Sequence, residues 1–106
     1  MIEAVFDEVI HPSNRLQICA MLAEGGSWEF ATVRDELGLS DSVLSKQVKV
    51  LRESGYVTVT KSPRNPRSRT WLALTAEGRR ALEGHLTVLR RMAERSSPAR
   101  TRENEQ

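Results

Sequence analysis

A single cysteine, Cys19, stands among 106 residues. One thiol cannot build a disulfide framework within the chain or fill a four-cysteine zinc site. No apolar run approaches the roughly 20 residues of a membrane-spanning helix. The opening stretch MIEAVFDEVIHP is acidic and lacks the basic start and apolar centre of a secretion signal, so a cytoplasmic, membrane-free protein is expected. Glycine-rich phosphate loops, a HExxH pair and a spaced Ser/His/Asp set are all missing, which removes the common catalytic motifs and with them any expected cofactor. A chain of this length makes one small domain with little room for a deep pocket beside its core. A hydrophobic fraction of 39% with 28% charged residues is enough to fold such a domain. A binding module is therefore favoured over an enzyme.

Apolar spacing and chain breakers divide the sequence. Ile2, Val5, Phe6 and Val9 repeat at helical intervals, predicting a short helix over 2–9 that His11-Pro12 ends. A helix over 13–24 places Leu16, Cys19, Leu22 and Ala23 on one face and stops at Gly25-Gly26. The SWEF stretch is long enough only for an edge strand. A second short helix covers 30–37, and Gly38-Leu39-Ser40 breaks it. A third, capped by Ser40 or Asp41, covers 41–54 with Leu44, Val48 and Leu51 inward at i, i+4, i+7. The period then changes to two: 56–60 and 70–74 read as paired strands. The connector KSPRNPRSR carries two prolines and four cations and reads as an exposed loop. A last helix starts at Thr75, with a stripe of Leu82, Leu86, Leu89 and Ala93. The tail 97–106 has almost nothing apolar and is expected to be disordered, leaving 1–96 as the domain.

The fold class is thus mainly α with a small β-hairpin. Two helices joined by a short glycine-containing turn, with a hairpin after the second, make a winged helix-turn-helix in the order α-α-β-α-α-β-wing-β-α. The net charge of +2 hides a segregation. Residues 1–39 carry net −5, with two cations and seven anions. Residues 40–72 carry net +5, with seven cations and two anions. Residues 73–106 carry net +2. The positive third coincides with the third helix and the loop, a pattern suited to a polyanion.

The ordered string HPSNRLQICAMLAEG, FATVRDELGLSDSVLSKQVKVLRESGYVTVTK and RTWLALTAEGRRAL resembles small bacterial winged-helix regulators related to the MarR and ArsR families, and within them the compact winged helix DNA-binding domain branch. The resemblance covers about residues 10–90. It implies a cytoplasmic, nucleoid-associated regulator of transcription that binds double-stranded DNA, with repression by promoter occlusion as the expected mode.

With Leu44, Val48 and Leu51 inward, Ser42, Val43, Lys46, Gln47 and Lys49 lie outward or on the flank. Lys46 can donate to guanine O6/N7, Gln47 can pair with an adenine edge, and Val43 can pack on a thymine methyl. Ser45 and the amides near Ser40 and Ser42 suit phosphate. The resemblance supports these assignments, since the matching outer positions in the family read bases and phosphates. Arg64, Arg67 and Arg69, with Asn65, form the wing that contacts the flanking groove. Lys49 and Arg52 read equally well as ordinary surface charges.

The terminal helices expose apolar stripes that one small domain cannot cover. Ile2, Val5, Phe6, Leu82, Leu86 and Leu89 are therefore expected to form a two-fold homodimer reading a pseudo-palindromic operator. Arms this short and so few aromatics give no indication of a small-molecule effector pocket. Cys19 is expected to be a core residue, and the metal-sensing paired cysteines of ArsR-like proteins are missing. Trp28 and Trp71 are expected to pack in the core and on the sheet, and His85 to lie on the surface. The competing function is a winged-helix interaction module whose basic face meets an acidic protein.

Overall fold

The computed structural model describes residues 4–63 and 69–96. Ile2, the loop residues Arg64, Asn65 and Arg67, and the tail 97–106 lie outside the described residues. The elements run α1 (Ser13–Leu22), β1 (Trp28–Glu29), α2 (Phe30–Leu37), α3 (Asp41–Glu53), β2 (Val57–Ser62), β3 (Arg69–Leu74) and α4 (Ala76–Arg95). The three strands form one antiparallel sheet in the order β1-β3-β2. This is the winged-helix architecture that the element order predicts.

Aliphatic spacing determines which side of each helix turns inward. Leu44, Val48 and Leu51 of α3 are buried as their i, i+4, i+7 repeat requires, and they meet Ile18, Cys19 and Leu22 of α1, Val33 of α2, Val57 of β2 and Leu72 of β3. Withdrawing each such aliphatic side chain from water contributes about 1.5–3 kcal/mol. Gly38 ends α2 with φ +67°, the left-handed conformation that lets Leu39 N–H return to the Arg34 carbonyl at 3.0 Å. The chain is thereby redirected into α3 within three residues.

The sheet extends further than period-two patterning indicates. Its β2–β3 ladder runs out to Ser62 opposite Arg69, so both ends of the basic connector are strand. Thr75 then joins the hairpin to α4. Its Oγ1 accepts from Gly78 N–H at 2.9 Å and donates to the Gly55 carbonyl at 2.7 Å, while its own N–H donates to the Tyr56 carbonyl at 2.9 Å. One residue caps the helix and fastens it to the start of β2. α4 comes so close there that a Cβ on Gly78 would stand 2.3 Å from the Tyr56 carbonyl oxygen. At the far end of α1, Arg79 of α4 donates to the Ala23 carbonyl at 3.0 Å, which helps close α1 at Leu22 instead of residue 24.

Three expectations are corrected. No helix forms over the described part of 2–9; residues 4–7 are irregular and 8–10 turn. Asp7 explains this locally, because its Oδ1 accepts from Val9 N–H at 2.9 Å and Ile10 N–H at 3.1 Å. A side chain that takes up the next amides offers the backbone an alternative to helix, and Pro12 leaves no room for a second turn. Ile10 enters the core and half-buried Val9 packs against it, while Val5 and Phe6 remain exposed at 52% and 38%. His85 is fully buried, not a surface residue. Leu82 is also core, at 3% exposure, and is not available to a dimer partner. Both follow from the direction α4 faces. Its inward stripe is Gly78, Leu82 and His85, rotated from the leucine-only stripe so that Leu86 and Leu89 lie at its margin, half-buried.

Candidate nucleic-acid interface

Helix α3 begins at a serine cap. Ser40 Oγ accepts from Val43 N–H at 3.1 Å and lies 3.3 Å from Ser42 Oγ. The cap stabilises the first turn, so the Ser40 hydroxyl is already occupied in supporting the helix. Arg34 of α2 reaches across the turn, its Nε donating to Asp35 at 2.9 Å and its Nη1 to Asp41 at 2.8 Å. Those two hydrogen bonds raise the Arg34 pKa further above its ordinary value. The pairing also neutralises Asp41, an anion at the end of α3 where an approaching phosphate would otherwise meet repulsion.

Ser42, Val43, Ser45, Lys46, Lys49 and Arg52 are all exposed, as the inward stripe requires. Gln47 lies on the flank of α3, less open than its neighbours. It is half-buried, and its Oε1 accepts from Arg15 Nη1 of α1 at 2.7 Å. Arg15 Nε in turn donates to the Val9 carbonyl. Two-point pairing with adenine needs the Gln oxygen as an acceptor. In this arrangement Arg15 takes one lone pair of that oxygen, so Gln47 steadies α3 against α1 and would have to share its oxygen or leave Arg15 to read a base.

Between α3 and the hairpin runs an open groove of about 430 Å³. Ser45, Lys49 and Arg52 line its α3 side, Lys61 and Thr70 its hairpin side, and Val48, Val59 and Leu72 lie among its apolar lining. Strand register explains the hairpin's contribution. Val59 faces Leu72 and Lys61 faces Thr70, so these four side chains share one surface of the sheet.

Arg69 belongs to the other surface. It pairs with Ser62, one step out of phase, and its guanidinium lies 3.4 Å from Glu29 Oε1 of β1. The expected wing residue Arg69 is thus turned from the groove, whereas Lys61, absent from the expected site, is within it. Lys61 lies two and four residues beyond Val59 and buried Val57, so strict alternation from Val57 was the signal that could have found it.

Trp28 packs at the edge of the core and donates from Nε1 to the Gly25 carbonyl at 3.1 Å, while Trp71 lies half-buried on the sheet. Cys19 is completely buried, and burial pushes its thiol up to about 12. A thiol that is both covered and protonated is a poor nucleophile. Cys19 is therefore expected to resist a water-soluble disulfide reagent in the native protein at pH 8 and to react only with unfolding, as followed by thiolate release. Fast stoichiometric labelling of folded protein would contradict this placement. Among the described residues no group of three or more His, Cys, Asp or Glu is arranged to hold a metal, and no helix is long and apolar enough to cross a membrane.

Residues 14–93 match the family model described as winged helix DNA-binding domain. Among curated proteins nothing matches the chain. Among solved structures, a transcriptional regulator homologue from Pyrococcus horikoshii OT3 superposes with a TM-score of 0.78 at 23% identity, covering 83% of this chain and 87% of that one. The transcriptional regulator PcaV from Streptomyces coelicolor, solved with its natural ligand, gives 0.71 at 24% identity over 84% of this chain and 62% of its own. A regulator described as ytfH from Salmonella typhimurium gives 0.70 at 19% identity, over 93% and 87%. At these identities the likeness is one of fold.

Proposed function

Since the chain belongs to the winged helix DNA-binding domain family, we propose that it is a cytoplasmic transcriptional regulator that reads double-stranded DNA with α3 and steadies the duplex with the hairpin. The observation that carries this is the shared face. The exposed outer row of α3, with Ser42, Val43 and Lys46, continues into a groove where Lys49 and Arg52 stand opposite Lys61. An α-helix fits the major groove, and the N-terminal turns of a recognition helix meet base edges. Lys46 is assigned to guanine O6/N7, Val43 to a thymine methyl, and Ser42 and Ser45 to phosphate. Lys49, Arg52 and Lys61 bind the backbone beyond the read bases, and Arg64 and Arg67 extend that contact from the loop.

The active species is a homodimer joined through the exposed margin of α4. Leu86, Leu89 and Met92, the last 45% exposed, supply its apolar surface together with Val5 and Phe6. Two-fold symmetry would set the α3 helices about one DNA turn apart, roughly 34 Å, on a pseudo-palindromic operator whose occupation represses transcription.

Lys46→Ala tests the base-reading role. Affinity for a duplex selected from the source genome is expected to fall by about 1–3 kcal/mol, while affinity for random duplex falls much less. Fluorescence anisotropy at two salt concentrations measures both. Equal losses on the two duplexes would remove Lys46 from base reading. Retention of an acidic protein partner with no duplex binding at low salt would favour the interaction-module alternative.

A further inference from the structure

Residues 4–12 form a strap whose polar contacts centre on Asp7. Asp7 N–H donates to His85 Nδ1 of α4 at 2.9 Å. The Asp7 carboxylate holds Val9 and Ile10 N–H through Oδ1, and accepts from the Tyr56 hydroxyl at 2.6 Å through Oδ2. Phe6 sets its ring edge against His85, centroids 4.7 Å apart, and lies 4.6 Å from His11. Beyond Ile10, the Val9 carbonyl accepts from Arg15, whose other arm holds Gln47 of α3. The strap therefore touches α4 at one end and, through a single arginine, α3 at the other.

Among the described residues His85 is the one fully buried polar side chain. Because its Nδ1 accepts a hydrogen bond, the neutral ring carries its proton on Nε2, which is buried with no partner among the described residues. A second proton would have to sit on Nδ1, pointing at the Asp7 N–H. Two donors would then oppose each other. We propose that residues 4–12 form a proton-operated strap: with His85 neutral the strap is fastened to α4 and, through Arg15 and Gln47, steadies α3; with His85 charged it lets go.

The surroundings of His85 pull in both directions, with burial the largest cause. Burial is the first cause holding the imidazole below its ordinary 6.5, and His11, with ring centroids 5.5 Å away, adds like charge. From the strap the Asp7 carboxylate acts the other way. The same carboxylate is engaged by Tyr56 just before β2, whose hydroxyl it pushes up to about 12, and it acts on Cys19 of α1, as Arg15 does in the opposite sense. A histidine held low when the strap is closed favours closure above about pH 6.5 and loses that advantage as pH falls.

Amide hydrogen exchange on the full chain at pH 7.5 and 5.5, corrected for the intrinsic rate, tests the strap without DNA. Protection at Asp7, Val9 and Ile10 is expected to fall at the lower pH by up to about tenfold, the limit set by an ordinary imidazole in the open strap. Core amides such as Val48 and Leu72 should not change. His85→Asn keeps an acceptor near the Nδ1 position but does not titrate, and should hold the strap equally at both pH values. His11→Asn removes the like charge and should shrink the loss without abolishing it. Unchanged protection in the wild type, or an undiminished loss in His85→Asn, overturns the proposal. Should His85→Asn fail to fold, the wild type and His11→Asn decide it.

The link to α3 rests on the proposed DNA reading and is measured separately. Affinity for a selected duplex should fall severalfold more in the wild type than in His85→Asn between the two pH values. Equal falls, with strap opening intact, would overturn the coupling to α3 alone.

Discussion

Replacing Lys49, Arg52 and Lys61 together with alanine is expected to lower affinity for a random duplex by two to three orders of magnitude at about 0.1 M salt. Each neutralised phosphate contributes about −0.9 to the slope of log affinity against log salt, so loss of three contacts should flatten that slope by about 2.7. All three residues line one groove, which is why their effects should accumulate on one ligand. All three are exposed, so folding stability should stay within about 0.5 kcal/mol of the parent. Arg69→Ala is the control. Arg69 lies on the other surface of the sheet against Glu29, and its removal should move the slope by well under one unit. A triple variant with an unaltered slope, or an Arg69 variant as damaging as the three together, would refute the shared face as the duplex-binding surface.

Gly78→Ala is expected to destabilise the domain by about 1–3 kcal/mol, the range for forcing extra volume into a packed site. The sign is the informative part. Inside an exposed helix the same exchange would stabilise by about 1 kcal/mol, because alanine is the better helix former. Here the added methyl meets the Tyr56 carbonyl oxygen at 2.3 Å and Leu74 Cδ1 at 2.9 Å. The leucine can rotate, but the carbonyl cannot retreat without lengthening its hydrogen bond to Thr75 N–H. Chemical denaturation followed by circular dichroism measures the difference. A variant as stable as the parent would mean that α4 is not docked this closely on the start of β2.

The helix-turn-helix was legible because its signals are local and agree with one another. In α3 the aliphatic repeat, the Ser40 cap and the preceding Gly38 all specify the same element, and burial of Leu44, Val48 and Leu51 follows. In the described part of 2–9 one polar side chain outweighs periodicity, since Asp7 uses its carboxylate on the amides that a helix would need. His85 was missed because a face composed of Gly78, Leu82 and His85 does not look apolar when only leucines are counted. The engagement of Gln47 by Arg15 joins positions 32 apart in sequence, a separation that no spacing rule spans. Lys61 was within reach. Reading all of 61–69 as a loop hides it, whereas the sheet register places Lys61 in β2.

The two-sided hairpin bears on how such proteins should be compared. Lys61 and Arg69 sit in neighbouring strands of a single ribbon, yet they address opposite half-spaces, and a flat polyanion lying on one cannot simultaneously meet the other. Formal charge summed along a stretch of chain therefore overstates how many counterions binding can displace. The dependable gauge of electrostatic footprint is the parity of a cation along its strand, which a homologue could reverse by inserting or deleting one residue without changing its isoelectric point.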